Sequence, residues 1–214
     1  MIRVGLVDDQ ALFRTGIRML VDSQADLEVV GEASDGVEAV AMVAASSPDI
    51  VLMDIRMPVM DGIAATEAIL ASTVGAPPRI VALTTFDLDE AAARAIRAGA
   101  SGFLLKDADP EFLLAAIREV HAGSSVIAAS ATLRLFEEFA GAPAAAPASY
   151  ESLTEREREI FALAAKGLSN AEIAAAEFLS EATVKTHISR ILGKLALRDR
   201  VQLVVFAFEH GLAR

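Results

Sequence analysis

The chain has 214 residues, 54% of them hydrophobic, a formal net charge of −11, and neither cysteine nor tryptophan. The lack of cysteine excludes disulfide frameworks and thiolate metal sites, and no apolar run approaches the roughly 18 residues needed to span a membrane. The charge argues at first against a nucleic-acid partner, but its distribution weakens the objection: residues 1–149 carry ten basic and twenty-one acidic side chains, and residues 150–214 carry nine of each.

Met1-Ile2-Arg3 runs straight into a strand-like segment with no secretory signal ahead of it, so a soluble cytoplasmic protein is expected. Up to residue 121, β-branched runs at 4–7, 27–31, 50–53, 80–83 and 102–105 alternate with stretches of 3.6-residue apolar spacing such as 11–21 and 36–45. This alternation predicts an α/β domain with a doubly wound five-stranded parallel sheet and right-handed crossovers. The expected strand order is the flavodoxin-like 2-1-3-4-5, with a crevice at the carboxyl ends of strands 1 and 3. Residues 122–149 change character. Helical spacing at 129–140 allows one more helix, and the Pro/Ala run at 141–149 reads as a semi-extended linker. From 150 to 214 the signals are purely helical. Thr154 with Glu157 forms a capping box, Gly167 a stop, Ser169 with Glu172 a second box, and Ser180 a third N-cap. Four short helices make a small all-α module.

In the first domain, Asp8 and Asp9 follow strand 1, Asp54 ends strand 3, Thr84 ends strand 4, and Lys106 follows strand 5. These are all carboxyl ends of a parallel sheet, so residues distant in sequence converge on one edge. Three carboxylates repel one another and need a cation, and with no His or Cys nearby a hard, oxygen-liganded ion such as Mg²⁺ fits. An aspartate can attack phosphorus to give an acyl phosphate. The Lys106 ammonium and the Thr84 hydroxyl can neutralise charge on the phosphoryl oxygens. A single strand-end Asp is usually a helix cap or simply solvated; the combination is what makes this site specific.

The runs Val7-Asp8-Asp9, Leu52-Met53-Asp54-Ile55-Arg56-Met57-Pro58 with Met60-Asp61-Gly62, Leu83-Thr84-Thr85, and Gly99-Ala100-Ser101-Gly102-Phe103-Leu104-Leu105-Lys106 resemble the receiver domain of two-component response regulators. The resemblance implies that Asp54 is the phospho-acceptor. It implies a Mg²⁺ site made by Asp8, Asp9, Asp54 and the backbone carbonyl of Arg56, with Asp9 and Asp54 as direct ligands. Lys106 and Thr84 would hold the phosphoryl group, and Phe103 stands where the family places its switch aromatic, although a Phe there can equally be permanent core. Asp107 replaces the proline that often follows the lysine, so a cis-proline turn is not carried over.

In the helical module, Val184, Ile188, Ile191, Leu192 and Leu195 form one apolar stripe. Lys185, Thr186 and Ser189 project on the other side, flanked by His187, Arg190 and Lys194, a shape that a DNA major groove admits. Residues 183–200 hold Lys185, Arg190, Lys194, Arg198 and Arg200 against Asp199 alone. An ordinary solvated helix has the same pattern, so context decides. That context is the series Leu153-Thr154-Glu155-Arg156-Glu157-Arg158-Glu159, Lys166-Gly167-Leu168-Ser169-Asn170-Ala171-Glu172-Ile173-Ala174, Ser180-Glu181-Ala182-Thr183-Val184-Lys185-Thr186-His187 and Lys194-Leu195-Ala196-Leu197-Arg198-Asp199-Arg200, which resembles the LuxR-type helix-turn-helix.

Together the two resemblances point to the NarL/FixJ class, with a receiver at 1–121, a linker at 122–149 and a DNA-binding domain at 150–214. By position, Lys185, Thr186 and Ser189 are expected at base edges, and Thr183, His187, Arg190 and Lys194 at phosphates. Three residues depart from the pattern: Glu177 replaces a usually buried Leu, Gly193 lies mid-helix, and Ala196 takes a C-cap position suited to Gly. The last helix, about 199–210, is apolar nearly all round. Its surplus face, with Val201, Val204, Val205 and Phe208, is expected either to dimerise on DNA or to be buried against the receiver domain. The implied function is phosphorylation of Asp54 by a sensor histidine kinase, which switches dimerisation and sequence-specific binding of double-stranded DNA to regulate transcription, with RNA polymerase as a further partner. The chain is not expected to be a turnover enzyme beyond the receiver's own phosphorylation and hydrolysis. Two rival readings are a nucleotide-holding or phosphoester-cleaving enzyme and a constitutive DNA binder. The first lacks a Gly-rich loop after strand 1 and an Asp-x-Asp pair at Asp54; the intact acidic cluster disfavours the second.

Overall fold

The strands of the N-terminal unit read as near-continuous apolar runs because both faces of their sheet are covered. A computed structural model of the chain describes residues 1–73, 75–85, 90–123 and 146–212. The chain divides into two compact units, Met1–Val126 and Ile127–Arg214. The first runs β1 (Ile2–Val7), α1 (Ala11–Asp22), β2 (Leu27–Ala33), α2 (Gly36–Ser46), β3 (Ile50–Asp54), α3 (Gly62–Ser72), β4 (Arg79–Thr84), α4 (Glu90–Arg97), β5 (Gly102–Leu105) and α5 (Pro110–His121). All its strand pairs are parallel, and the sheet order is β2-β1-β3-β4-β5, as the alternation predicted.

The period of two divides each strand between two cores. Leu6, Leu52 and Leu83 pack with Ile117 and Val120 of α5, and with Phe13 and Ile17 of α1. Val7, Val51, Met53 and Ile80 face the other way, onto Val43 of α2 and Ile69 of α3. β2 continues two residues past its expected end because the β1–β2 register slips at Val4/Gly5, a bulge that leaves Val30 unmatched. Asp35, Asp61 and Asp109 cap α2, α3 and α5 by accepting backbone N–H bonds, and Pro110 opens α5.

The second unit contains α6 (Ala148–Glu151), α7 (Glu155–Ala165), α8 (Asn170–Glu177), α9 (Glu181–Leu195) and α10 (Arg200–Glu209). Both capping boxes form, and Ser180 caps α9. Gly167 stops α7 at φ 86°, where its N–H and that of Leu168 close on the carbonyls of Ala164 and Leu163. The core gathers Ile160 and Phe161 of α7, Ile173 of α8, Val184, Ile188 and Ile191 of α9, and Leu203 of α10. The single turn of α6 was not anticipated; it crosses the end of the expected linker because Tyr150 packs edge-on to Phe161, 5.3 Å between centroids. The helix expected at 129–140 and the linker up to 145 lie outside the described residues. α9 runs unbroken through Gly193, and Ala196 ends it in the left-handed region at φ 55°.

Candidate functional site

The sheet register assembles the acidic site. Val7 pairs with Met53, so the next residues, Asp8 and Asp54, emerge side by side. Asp54 pairs with Leu83 and Thr84 with Leu105, which brings Thr84 and Lys106 to the same edge. Gly62 lets the β3–α3 loop fold back tightly: its N–H donates to the Ile55 carbonyl at 3.0 Å, and an added Cβ would lie 2.0 Å from the Asp54 carbonyl oxygen. Asp8, Asp54 and Thr84 are buried, while Asp9 faces solvent.

Lys106 holds the two buried acids together. Its Nζ lies 2.6 Å from Asp8 Oδ2 and 2.8 Å from Asp54 Oδ2, with only 8% of its side chain exposed. The outer oxygens take backbone donors, Gln10 N–H on Asp8 Oδ1 at 2.8 Å and Arg56 N–H on Asp54 Oδ1 at 3.2 Å. Burial pushes the Asp54 carboxyl above its ordinary range, against the opposing pull of Lys106 and Arg56. For Lys106, burial favours the neutral amine, but the hydrogen bonds of Asp54 and Asp8 outweigh it and hold the ammonium above its usual value. The result is a buried ion cluster in which one ammonium bridges two carboxylates.

Oxygens of Asp8, Asp9 and Asp54 lie within 4.8 Å of one another. In a six-coordinate Mg²⁺ site with bonds near 2.1 Å, opposite ligands stand about 4.2 Å apart, so this all-oxygen set fits such an ion with small shifts. Arg56 is exposed at the start of the loop after β3. The Thr84 carbonyl accepts the Lys106 N–H at 2.7 Å, which ties the ends of β4 and β5 together behind the site. Phe103 is half-buried and packs on the cluster of Ile55, Ile63, Ala82 and Ala95.

On α9 the two faces separate as expected: Val184, Ile188, Ile191 and Leu195 are buried, Leu192 is half-buried, and Lys185, Thr186, Ser189 and Arg190 are exposed. Thr183 is half-buried against the Ser180 hydroxyl at 2.9 Å, and Thr186 Oγ1 donates back to the Ala182 carbonyl. His187 is half-buried, its Nδ1 enclosed without a hydrogen-bond partner among the described residues. Two expectations need correction. Lys194 is exposed, but its ammonium is already engaged within the unit instead of being free for a phosphate: its Nζ lies 2.6 Å from the buried carboxylate of Glu157 and 3.2 Å from the Ser152 carbonyl. That ammonium, with the Thr154 cap, holds Glu157 down at a pKa of about 2. Arg200, counted above in a basic face, is buried and donates to Asn170 Oδ1 at 2.8 Å and to the Leu168 carbonyl. The cationic face of α9 is therefore Lys185 and Arg190.

Glu177 does not disrupt the module. Arg156 forms a close ion pair with its carboxylate and donates to its backbone carbonyl at 3.1 Å. The next residue, Phe178, turns the chain at φ 54° and is 96% exposed. In α10, Val201, Val204 and Val205 are already buried within the single chain and Phe208 is half-buried, so none of the three valines is an open face. Sequence reasoning missed the Glu157–Lys194 and Arg156–Glu177 pairs and Phe13, whose ring lies under Lys106. Phe13 had a visible signal, as an aromatic one turn beyond an acidic pair.

The family described as Response regulator receiver domain matches residues 4–118, and that described as Bacterial regulatory proteins, luxR family, matches residues 151–207. The chain is 42% identical over 215 residues to the transcriptional regulatory protein YxjL of Bacillus subtilis, covering all of this chain and 98% of that protein. It is 39% identical over 211 residues to the response regulator protein VraR of Staphylococcus aureus, covering 99% and 98% of the two. The crystal structure of the response regulator ChrA, from a heme-sensing two-component system, superposes with a TM-score of 0.53 at 36% identity, over 99% of this chain and 98% of ChrA.

Proposed function

This chain belongs to the two-component response regulators of the NarL/FixJ type, DNA-binding transcription regulators that join a receiver to a LuxR-type domain, and from that premise we propose that Asp54 accepts a phosphoryl group from a sensor histidine kinase and thereby switches DNA binding. The observation that carries this reading is the bridge from Lys106 to both Asp8 and Asp54, beside a third carboxylate on the same sheet edge. An Asp54 oxygen attacks phosphorus in line, the Asp54–phosphoryl bond forms, and the P–N bond to the kinase imidazole breaks with its electrons on the ring nitrogen. Lys106, already charged, and the Thr84 hydroxyl then hold the new phosphoryl oxygens. Asp8, Asp9, Asp54 and the Arg56 carbonyl would hold Mg²⁺, which when bound would supply charge neutralisation at those oxygens. The Lys106 bridge exchanges its Asp54 carboxylate oxygen for a phosphoryl oxygen when Asp54 is phosphorylated, and a half-buried Phe103 can follow Thr84 inward, biasing a two-state element.

Downstream, α9 enters the major groove with Lys185, Thr186 and Ser189 at base edges and Arg190, Thr183 and His187 toward phosphates. A homodimer would form through α10, on the side that carries Val201, Val204, Val205 and Phe208. The DNA-bound dimer presents itself to RNA polymerase. Such a regulator works where the chromosome is, in the cytoplasm, and turns nothing over except its own phosphoryl group. Among the described residues no helix is long and apolar enough to cross a membrane. The test is incubation of the full chain with acetyl phosphate and Mg²⁺. One acid-stable, base-labile phosphoryl group per chain, absent in Asp54→Asn, is expected; full labelling of that variant would overturn the assignment.

A further inference from the structure

We propose that Phe13 is a positioning residue for Lys106: its ring face, one turn beyond the acidic pair, seats the ammonium above the gap between Asp8 and Asp54. The inference rests on the phosphoryl reading of Asp54 and deepens it. The Lys106 ammonium has two carboxylate oxygens on one side, at 2.6 and 2.8 Å, and the Phe13 ring on another, 5.0 Å from Nζ to the centroid. Lys106 is almost withdrawn from water, and a cation over an aromatic face is attracted most strongly when it is desolvated.

The ring is itself held. Phe13 packs against the core that contains Leu6, Leu52 and Leu83. The next residue, Arg14, fastens the first turn of α1 to the end of β1: its Nη1 donates to the Asp8 carbonyl at 2.5 Å and its Nε to Glu32 at 3.1 Å. Phe13 therefore reaches Lys106 from a turn that is pinned to the acidic pair.

The geometry matters when Asp54 changes charge. Phosphorylation turns the Asp54 partner of Lys106 into a more highly charged phosphoryl group, so the ammonium has to pass from the Asp54 oxygen to the phosphoryl oxygens while Asp8 keeps pulling on it. The attraction of the ring does not change with the chemistry, so Phe13 keeps the ammonium between Asp8 and the reacting oxygens during that passage. An aliphatic side chain of similar volume would preserve the core and lose this seat.

The experiment compares the full chain with Phe13→Leu, Phe13→Tyr and Phe13→Trp in acetyl phosphate and Mg²⁺. The Asp54–phosphoryl bond forms there as the donor P–O bond breaks and acetate leaves. Phe13→Leu is expected to lower the maximal labelling rate about 3- to 30-fold, while Phe13→Tyr and Phe13→Trp stay within about 2-fold of the parent. Labelling of Phe13→Leu at the parental rate overturns the proposal. Equal slowing in all three variants also overturns it, because shape and not the ring face would then be the cause. A second readout needs no phosphorylation: the ε-methylene protons of Lys106 should show an upfield ring-current shift in the resting parent that Phe13→Leu abolishes. No such shift in the parent overturns the seat. A parent chain that shows the shift but takes no label would leave the seat standing and sink the phosphoryl reading of Asp54 instead.

Discussion

Replacing Lys194 by methionine separates an inward ion pair from a DNA contact. Glu157 is 4% exposed and accepts the Lys194 ammonium at 2.6 Å, the Thr154 N–H at 2.8 Å and the Thr154 hydroxyl at 3.0 Å. The drop in its pKa from 4.5 to about 2 corresponds to roughly 3 kcal/mol at most. Lys194 is itself 36% exposed, which screens the pair, and the Thr154 cap survives the substitution. Lys194→Met should therefore cost about 2 kcal/mol, and for a unit of this size the midpoint should fall by about 8–16 °C. The pH dependence has a defined sign. A carboxyl whose folded pKa is depressed contributes stability above its unfolded value near 4.5, and loses it as pH falls toward 2. The parent should weaken across that window, and Lys194→Met should weaken less steeply. The chain's single tyrosine, Tyr150, lies edge-on to Phe161 in this unit, so its fluorescence follows the unfolding locally. Adding Glu157→Gln to Lys194→Met should restore part of the loss by removing the stranded charge. An unchanged midpoint for Lys194→Met, together with a lower salt slope of DNA binding, would refute the pairing and return Lys194 to the phosphates.

Gly193→Ala should stabilise the helical unit by about 1 kcal/mol, because a Cβ there meets nothing within 4 Å in an exposed helix. Ala196→Gly should add about 0.5–1 kcal/mol by relieving φ 55°, both changes being read from the same tyrosine midpoint. Gly62→Ala should collapse phosphorylation along with receiver stability, as its Cβ would stand 2.0 Å from the Asp54 carbonyl; a stable, fully labelled variant would contradict that geometry. Lys185→Ala should narrow the affinity gap between specific and random DNA by about 1–3 kcal/mol. Arg190→Ala should weaken both duplexes alike and lower the log-log salt slope by about one per site, and a salt titration of each variant separates the two behaviours.

Much of this was legible because parallel topology converts sequence order into place. Once the strands were read, Asp8, Asp9, Asp54, Thr84 and Lys106 had to meet at one edge, and the register places them there. The capping boxes are local, so three-residue spacings revealed them. What stayed hidden was the partner chosen by each charged side chain. Lys194 lies on the polar side of an amphipathic helix, and nothing in its neighbours announces that the Glu157 of a cap 37 residues earlier will take it. Arg200 counts as surface in any charge tally, yet its guanidinium is enclosed by Asn170 and the Leu168 carbonyl. The all-round apolarity of α10 pointed to more than one buried side, and Val201, Val204 and Val205 are buried within the chain, but periodicity alone cannot say what covers them.

The central claim, that charge at Asp54 governs DNA binding, is tested most directly by one titration. A duplex selected from random sequence is bound by the full chain with and without acetyl phosphate and Mg²⁺, and by Asp54→Asn under the same two conditions. The account predicts at least about tenfold tighter binding by the phosphorylated parent, equivalent to about 1.4 kcal/mol of coupling, and no response in Asp54→Asn. Equal affinity of the phosphorylated and unphosphorylated parent, with Asp54 fully labelled, would contradict it.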